Sequence, residues 1–477
     1  MLSLITNSRY QKYLHIIKNL VLSVPKYSVK YILQNYDTLI GQSVCFVSRV
    51  INQRNNRLFL EVIEEEYQIQ CCLLTKKFTT QERLYIDVGD IIYFQGEVKY
   101  SNSNEKTIFI EKFYIESKCV RDTPDQFYLS KELNLYDNSV RTRHIIFSSD
   151  VFKRIKGRFE IIREIRYFLN NLMYYEADTP VLHRIAGGAF AKPFKTTYDH
   201  FKTEYSLRIA PELHLKRLIM GGFKKVYEIA KNFRNEGISA MHNPEFTMLE
   251  IYTVDMNRDE CVTLCINLIK HICQFISQNS YLYQDNALSI LKNIDCIERL
   301  YFYKILEDVC QENNILFDRN NIDSQVICLL EKISDIKYVV DDHDSVYGYL
   351  DDFVSKFYIK KHFLDKIVVL LDYPIIMSPL AKHDEKNNVA IRFEIYINGV
   401  EVFDGFEENV DFEKQQKVFE EQKKITKNNY DHFFIEDMMY GMRKTTGVGM
   451  GVDRLVSLLL LCPNSNNNIR NIIPFIQ

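Results

Sequence analysis

The segment RFEIYINGVEVFDGF, residues 392–406, sets two runs of alternating apolar residues on either side of Asn398-Gly399. That dipeptide tolerates the positive φ angles of a tight two-residue turn, so the chain must fold back as an antiparallel hairpin. The turn pairs Ile397 with Val400 and Tyr396 with Glu401. Ile395, Ile397, Val400 and Val402 then take the buried face, and Glu394 falls on the other face with Glu401. Two carboxylates on one sheet face repel unless a cation sits between them. Mg²⁺ commonly uses one or two carboxylates together with substrate phosphates. Two solvated acids are the competing explanation.

A second hairpin is expected over 225–252. KVYEIAKNF and EFTMLEIY alternate with period two around a polar turn. Phe246, Met248, Glu250 and Tyr252 share one face, expected to be exposed, while Thr247, Leu249 and Ile251 share the buried one. Arg234, Glu236, His242, Glu245 and Glu250 crowd this hairpin. An aromatic ring, a carboxylate and a phenol on one open face suit a ligand. A half-buried sheet with a wet side fits the pattern equally.

Near the C-terminus, GVGMGVDRLVSLLL (447–460) alternates glycines and then begins an apolar helix with Arg454 in its first turn. Glycines let a ligand lie on the backbone, and the guanidinium suits a phosphate or a stacked ring. The glycine spacing and the short remaining chain argue against a dinucleotide fingerprint.

Upstream, residues 42–116 contain five short β-rich runs separated by NQRNN, DVGD and SNSNEK, which is turn chemistry. Five strands in so short a span suggest a small barrel, of the OB or the SH3-like type. Residues 10–35 have helical spacing broken at Pro25, 150–172 read as a helix, and PELHLKRLIMGG is a short helix bounded by Pro211 and Gly221-Gly222. The overall class is α+β, in two or three domains.

Composition excludes some functions. No apolar run approaches the length needed to span a membrane. The net charge of −3 gives no global reason to expect nucleic acid, yet residues 1–60 carry eight Lys/Arg against one acid, Asp37. The eleven cysteines lack any CxxC pair, which fits reduced thiols in a cytoplasmic protein better than a zinc site or disulfides.

Taken together, these segments resemble a class II lysyl-tRNA synthetase. FRNEGISAMHNPEFTMLEIY (233–252) is similar to the family's motif 2, GVGMGVDR to motif 3, and YYEADTPVL (174–182) to motif 1. IAGGAFAKPFKT (185–196), RIAPELHLKRLIMGG (208–222) and the 392–401 hairpin resemble the lysine enzyme more than its aspartate and asparagine relatives. The resemblance extends from about residue 40 to the C-terminus, and more loosely to the first helix, which aligns near residue 9 and leaves little chain for a targeting peptide. It implies an N-terminal helical segment (1–38), an OB-fold anticodon-binding domain (39–120), a linker (121–148) and a catalytic domain (149–477). The catalytic domain would be an antiparallel sheet flanked by helices, with a mainly helical insertion at about 256–370.

The resemblance also implies roles. Arg234 bridges the lysine carboxylate and the α-phosphate of ATP; Arg454 covers adenine and reaches the γ-phosphate; both are catalytic. Phe246 stacks on adenine, and Glu236, His242 and Asn243 complete the ATP site. Glu394 and Glu401 hold Mg²⁺. Gly188 and Glu212 meet the lysine α-amino group, Glu250, Tyr252 and Glu408 meet its ε-ammonium, and Gly451 belongs to the same lysine-binding set. Arg54, Phe59, Gln70 and Glu105 contact the anticodon of tRNA(Lys), and Pro180 lies at a homodimer interface. The alternatives are a paralogue that lysylates a protein and a non-catalytic nucleic-acid-binding relative. The chain departs from the family at DGFEEN (404–409), where Asp404 and Glu407 add charge beside the substrate; at MRKTTG ahead of motif 3; and at SVRTRHIIF (139–147).

Overall fold

A computed structural model describes residues 26–120, 145, 148–185, 187–189, 191–279, 282, 284–337, 343–426, 431–461 and 468–475. Most of the expected N-terminal helix and linker, and the segment 139–147 apart from residue 145, lie outside the described residues. The chain divides near residue 153 into two compact units.

The first unit is a closed five-stranded barrel. Its strands are β1 (Ser43–Arg54), β2 (Phe59–Glu64), β3 (Tyr67–Leu73), β4 (Ile91–Tyr100) and β5 (Lys106–Ser117). They close in the order β1-β2-β3-β5-β4, with β3 parallel to β5 and every other pair antiparallel. That order selects the OB type. Alternate residues of each strand point inward, and Phe46, Leu60, Val62, Phe94 and Ile108 are fully buried in the barrel core. The short helix Val29–Gln34 adds Val29 and Ile32 to that core.

The second unit is built on a nine-stranded sheet. Its members are β6 (Tyr175–Glu176), β10 (Lys225–Phe233), β11 (Glu245–Val254), β12 (Glu298–Tyr301), β13 (Ile367–Tyr373), β14 (His383–Asp384), β15 (Val389–Ile397), β16 (Val400–Glu407) and β17 (Thr445–Gly451). They run β12-β13-β15-β16-β17-β11-β10-β6, with β14 beside β15. The central pairs are antiparallel, and only the outer pairs β12–β13 and β10–β6 are parallel. A separate small sheet holds β7 (Leu182–His183), β9 (Thr203–Leu207) and β8 (Lys195–Tyr198).

Helices Ser149–Asn171, Arg258–Gln278, Gln284–Asn293 and Val452–Leu460 cover one face of the large sheet. Thr247, Leu249 and Ile251 point into that buried side as expected. The other face belongs to the cavity described below. Within 256–370 the helices Phe302–Glu312, Ser324–Ser334 and His343–Asp352 gather around their own apolar core. The same stretch also supplies β12 and β13, which the sequence reading did not anticipate.

The Asn398-Gly399 hairpin forms with the expected Ile397–Val400 and Tyr396–Glu401 pairs. Beyond them strict alternation fails. A bulge makes Ile395 pair with Phe403 and Glu394 with Asp404, so Val402 and Phe403 both enter the core. The extra residue turns Asp404 onto the face that carries Glu394 and Glu401.

Candidate active site

A cavity of about 1370 Å³ opens on the sheet face away from the main core. Met248, Glu250 and Tyr252 of β11 line it beside Gly447 and Gly449 of β17, with which β11 pairs. Glu250 and Tyr252 were expected on an open face, but both are buried. The helix Glu212–Met220 is the reason: Leu215 and Ile219 pack against Tyr252.

Three carboxylates from three segments converge here: Glu212, Glu250 and Glu408, all buried. Burial pushes the Glu250 carboxyl up to about 8; Glu212 adds to the rise, and the Tyr252 hydroxyl, donating to Glu250 Oε2 at 3.1 Å, opposes it. Burial likewise raises Glu212 and Glu408. Between those two lies Lys216, which the sequence reading missed. Its Nζ sits 2.5 Å from Glu212 Oε1 and 2.5 Å from Glu408 Oε2. The contact to Glu408 is a buried ion pair. Burial alone would lower the Lys216 ammonium, but the two carboxylates outweigh it and push it up to about 12. The spacing of Glu212 and Lys216, one helical turn apart, was the available signal.

Gly447 makes room for this arrangement. A β-carbon added there would collide with Glu408 Oε1 and lie 2.5 Å from Tyr252 Cε1. Gly447→Ala therefore forces both side chains to move, at about 1–3 kcal/mol of overpacking. For the lysine pocket that the family resemblance implies, the expected result is a roughly tenfold or greater rise in the KM for the amino acid, because one methyl costs that much in a tight pocket. Steady-state kinetics in each substrate check it: a larger change in the KM for ATP would contradict the placement.

The nucleotide candidates lie toward the other end of the hairpin. Arg234 stacks on Phe246, its Cζ 5.1 Å from the ring centre. Burial draws the Arg234 guanidinium down, opposed by Glu236 and Glu250. Its Nε is buried and donates to no described acceptor. Glu236 is exposed, and its Oε1 accepts from the Lys192 amide at 3.3 Å. His242 Nδ1 meets Ser239 Oγ at 2.7 Å and its Nε2 meets Arg454 at 3.4 Å. Burial and then Arg454 hold that imidazole below its ordinary value. Asn243 is buried and turned inward, donating to the Glu245 carbonyl at 2.7 Å. Arg454 NH1 lies 3.1 Å from Glu401 Oε2. Asp453 anchors the Arg454 helix: it accepts from the Thr247 amide at 2.8 Å and pairs with Arg158 at 2.5 Å. Gly451 pairs with Met248 at the start of that helix.

Glu394 is buried and contacts Arg392 at 2.5 Å; the Tyr396 hydroxyl donates to its other oxygen. Among the described residues no group of three or more His, Cys, Asp or Glu is spaced to hold a metal by protein alone. The Glu394–Glu401 donor set is instead hard oxygen from two side chains, which fits Mg²⁺ shared with phosphates. The two unusual acids are both paired: Asp404 with Arg392 at 2.8 Å, and Glu407 with Lys382 at 2.9 Å. Gly188 has φ of +87°, and a β-carbon there would lie 2.9 Å from Glu212 Cβ, so the loop approaches Glu212 closely only as glycine.

In the barrel the four candidates share one patch. Arg54 NH2 donates to Gln70 Oε1 at 2.7 Å, and Gln70 Nε2 donates to Thr107 Oγ1 at 2.8 Å. Phe59 pairs across the strands with Arg54, half-buried and outside the core cluster. Thr107 Oγ1 donates to the carbonyl of Glu105, which is exposed. Pro180 is exposed, next to Thr179, whose hydroxyl donates to Glu228 at 2.6 Å.

A hairpin carrying an arginine stacked on a phenylalanine, a glycine strand leading into an arginine-bearing helix, and a largely antiparallel sheet define a class of enzyme. The family described as tRNA synthetases class II (D, K and N) matches residues 136–477. The chain belongs to that family. Similar curated proteins are lysine–tRNA ligases. That of Buchnera aphidicola subsp. Schizaphis graminum is 33% identical over 452 residues, covering 92% of this chain and 87% of its own. That of Fusobacterium nucleatum is 34% identical over 408 residues, covering 82% and 78%. That of Thermotoga maritima is 31% identical over 462 residues, covering 93% and 87%.

Proposed function

We propose that this chain activates L-lysine with ATP to lysyl-adenylate and transfers the lysyl group to tRNA(Lys). The observation that carries the substrate is the buried cluster of Glu212, Glu250, Tyr252 and Glu408 beside Arg234. An amino acid with two ammonium groups needs negative charge at two points along its length, and a neutral side chain would leave the acids at the far end unpaired. Lys216 already neutralises part of the cluster, so the remaining charge matches the substrate rather than exceeding it.

The lysine carboxylate is the nucleophile, so the chain has little proton transfer to perform. Arg234 aligns that carboxylate with the α-phosphate, Phe246 seats the adenine and Arg454 restrains the outer phosphates. Glu394 and Glu401 would hold Mg²⁺, which when bound neutralises charge on the phosphates. Pyrophosphate leaves; a hydroxyl of the terminal ribose of the tRNA then takes the lysyl group, and AMP is released. Phe59 would stack on an anticodon base while Arg54, Gln70 and Glu105 read polar edges. A homodimer through the segment around Pro180 and a cytoplasmic location complete the reading. No helix among the described residues is long and apolar enough to cross a membrane, and no disulfide joins the described cysteines.

The test is lysine-dependent ATP–pyrophosphate exchange, followed by charging of transcribed tRNA(Lys). Absence of exchange would refute the reading; exchange without charging would redirect it to a protein substrate.

A pH dependence follows from the raised Glu250 carboxyl. At neutral pH in the free enzyme this group holds a proton, which lysine binding must expel. The KM for lysine should therefore fall as pH rises toward about 8 and level off above it. The KM for ATP should not follow that curve, and Glu250→Gln should flatten it. A lysine KM independent of pH over roughly the one to two units below the shifted value of about 8 would contradict this.

A further inference from the structure

Asp404 and Glu394 stand directly opposite each other on neighbouring strands. Like charges placed so repel. One guanidinium spans both. Arg392 Nε donates to Asp404 Oδ1 at 2.8 Å, while its NH2 nitrogen reaches Asp404 Oδ2 at 3.1 Å and Glu394 Oε1 at 2.5 Å. Asp404 thus takes the two-pronged contact, the strong geometry for a guanidinium, and Glu394 takes one prong. Arg392 is held in place from behind by the Tyr373 ring, 4.3 Å from its Cζ. The bulge at Val402 is what aims Asp404 at this arginine. Asp351, on the helix His343–Asp352, feels Arg392, Glu401 and Asp404 together, so these charges form one local field.

We propose that Asp404 is a positioning residue for the metal side of the site. By taking the two-pronged contact of Arg392 it offsets the positive charge that a divalent cation would meet beside Glu394 and Glu401. This rests on the assignment of those two glutamates to the metal. A cation approaching Glu394 meets the repulsion of Arg392 a few ångströms away. A carboxylate locked on that arginine cancels most of the repulsion. An asparagine at 404 would offer one oxygen and no charge, and Arg392 would then answer to Glu394 alone. The other explanation of Asp404 is an extra charge for the amino-acid pocket. The Arg392 contacts oppose it, because they commit both carboxylate oxygens.

The two explanations separate in one experiment on the full chain. Mn²⁺ binding is followed by electron paramagnetic resonance in the presence of a non-hydrolysable ATP analogue, and lysine binding by calorimetry. Asp404→Asn should raise the Mn²⁺ dissociation constant roughly three- to tenfold, the effect of one partly screened charge at short range. Lysine affinity should stay within about twofold, and Asp404→Glu, which keeps the charge, should retain most of the Mn²⁺ affinity. Glu394→Gln serves as the control and should lose Mn²⁺ binding outright. If Glu394→Gln loses the metal and Asp404→Asn does not weaken it, or weakens lysine instead, the inference falls while the metal assignment stands. If Glu394→Gln binds Mn²⁺ normally, the metal assignment fails and takes the inference with it.

Discussion

Replacing Glu250 with glutamine should raise the KM for lysine about 10²- to 10³-fold while the KM for ATP changes little, the scale expected when one partner of a buried charge pair is neutralised. Glutamine keeps the shape and can still accept from the Tyr252 hydroxyl, so the pocket need not rearrange. What it removes is the charge that an ε-ammonium requires. Stability should move the other way. Burial lifts this carboxyl from its ordinary 4.5 to about 8, so the folded chain holds a proton that the unfolded chain releases between those values. Wild-type stability therefore falls as pH rises through that window, and the glutamine variant escapes the penalty. Thermal unfolding at pH 7.5 should find Glu250→Gln at least as stable as wild type. Pyrophosphate exchange with each substrate varied in turn decides the functional half: equal losses for lysine and ATP would remove Glu250 from the ε-ammonium site.

How much of this was readable beforehand depends on the range of the signal. The Asn398-Gly399 turn and the first two cross-strand pairs are local, and both stand. The bulge two residues on is invisible to a period-two pattern because it consists in breaking that pattern. β13, IVVLLDY, is buried on both faces, so it shows no alternation and passes for part of a helical region. The barrel's five strands were legible from their turns, but its closure through the parallel β3–β5 pair joins residues far apart in sequence. The site divides in the same way. Arg234, Phe246 and Glu250 lie on one hairpin and their order follows from strand geometry. The meeting of Glu212, Glu250 and Glu408 joins a helix, β11 and the segment after β16, and only the resemblance to a family suggested it. Lys216 went unread because a lysine on an amphipathic helix is usually solvated. Here two acids from different segments bury it.

The arginine of this hairpin should carry the other large effect. Arg234→Ala should lower kcat in pyrophosphate exchange by roughly 10³-fold, the scale seen when a preorganised donor to developing charge is removed. The geometry supports a role in the transition state. The backbone is pinned by the Arg234 amide donating to the Pro244 carbonyl at 2.9 Å, and the guanidinium is stacked on Phe246, so the group is oriented before substrates arrive. Its buried Nε has no described acceptor, which leaves that N–H for a substrate oxygen. Arg234→Lys restores the charge without the planar fork, so it should recover part of the rate, ending about tenfold or more below wild type. Loss concentrated in kcat would mark an interaction made as the reaction proceeds, whereas loss confined to KM would mark simple binding. An alanine variant whose kcat stays within about tenfold of wild type would deny Arg234 the bridging role, since one preorganised donor is worth more than that.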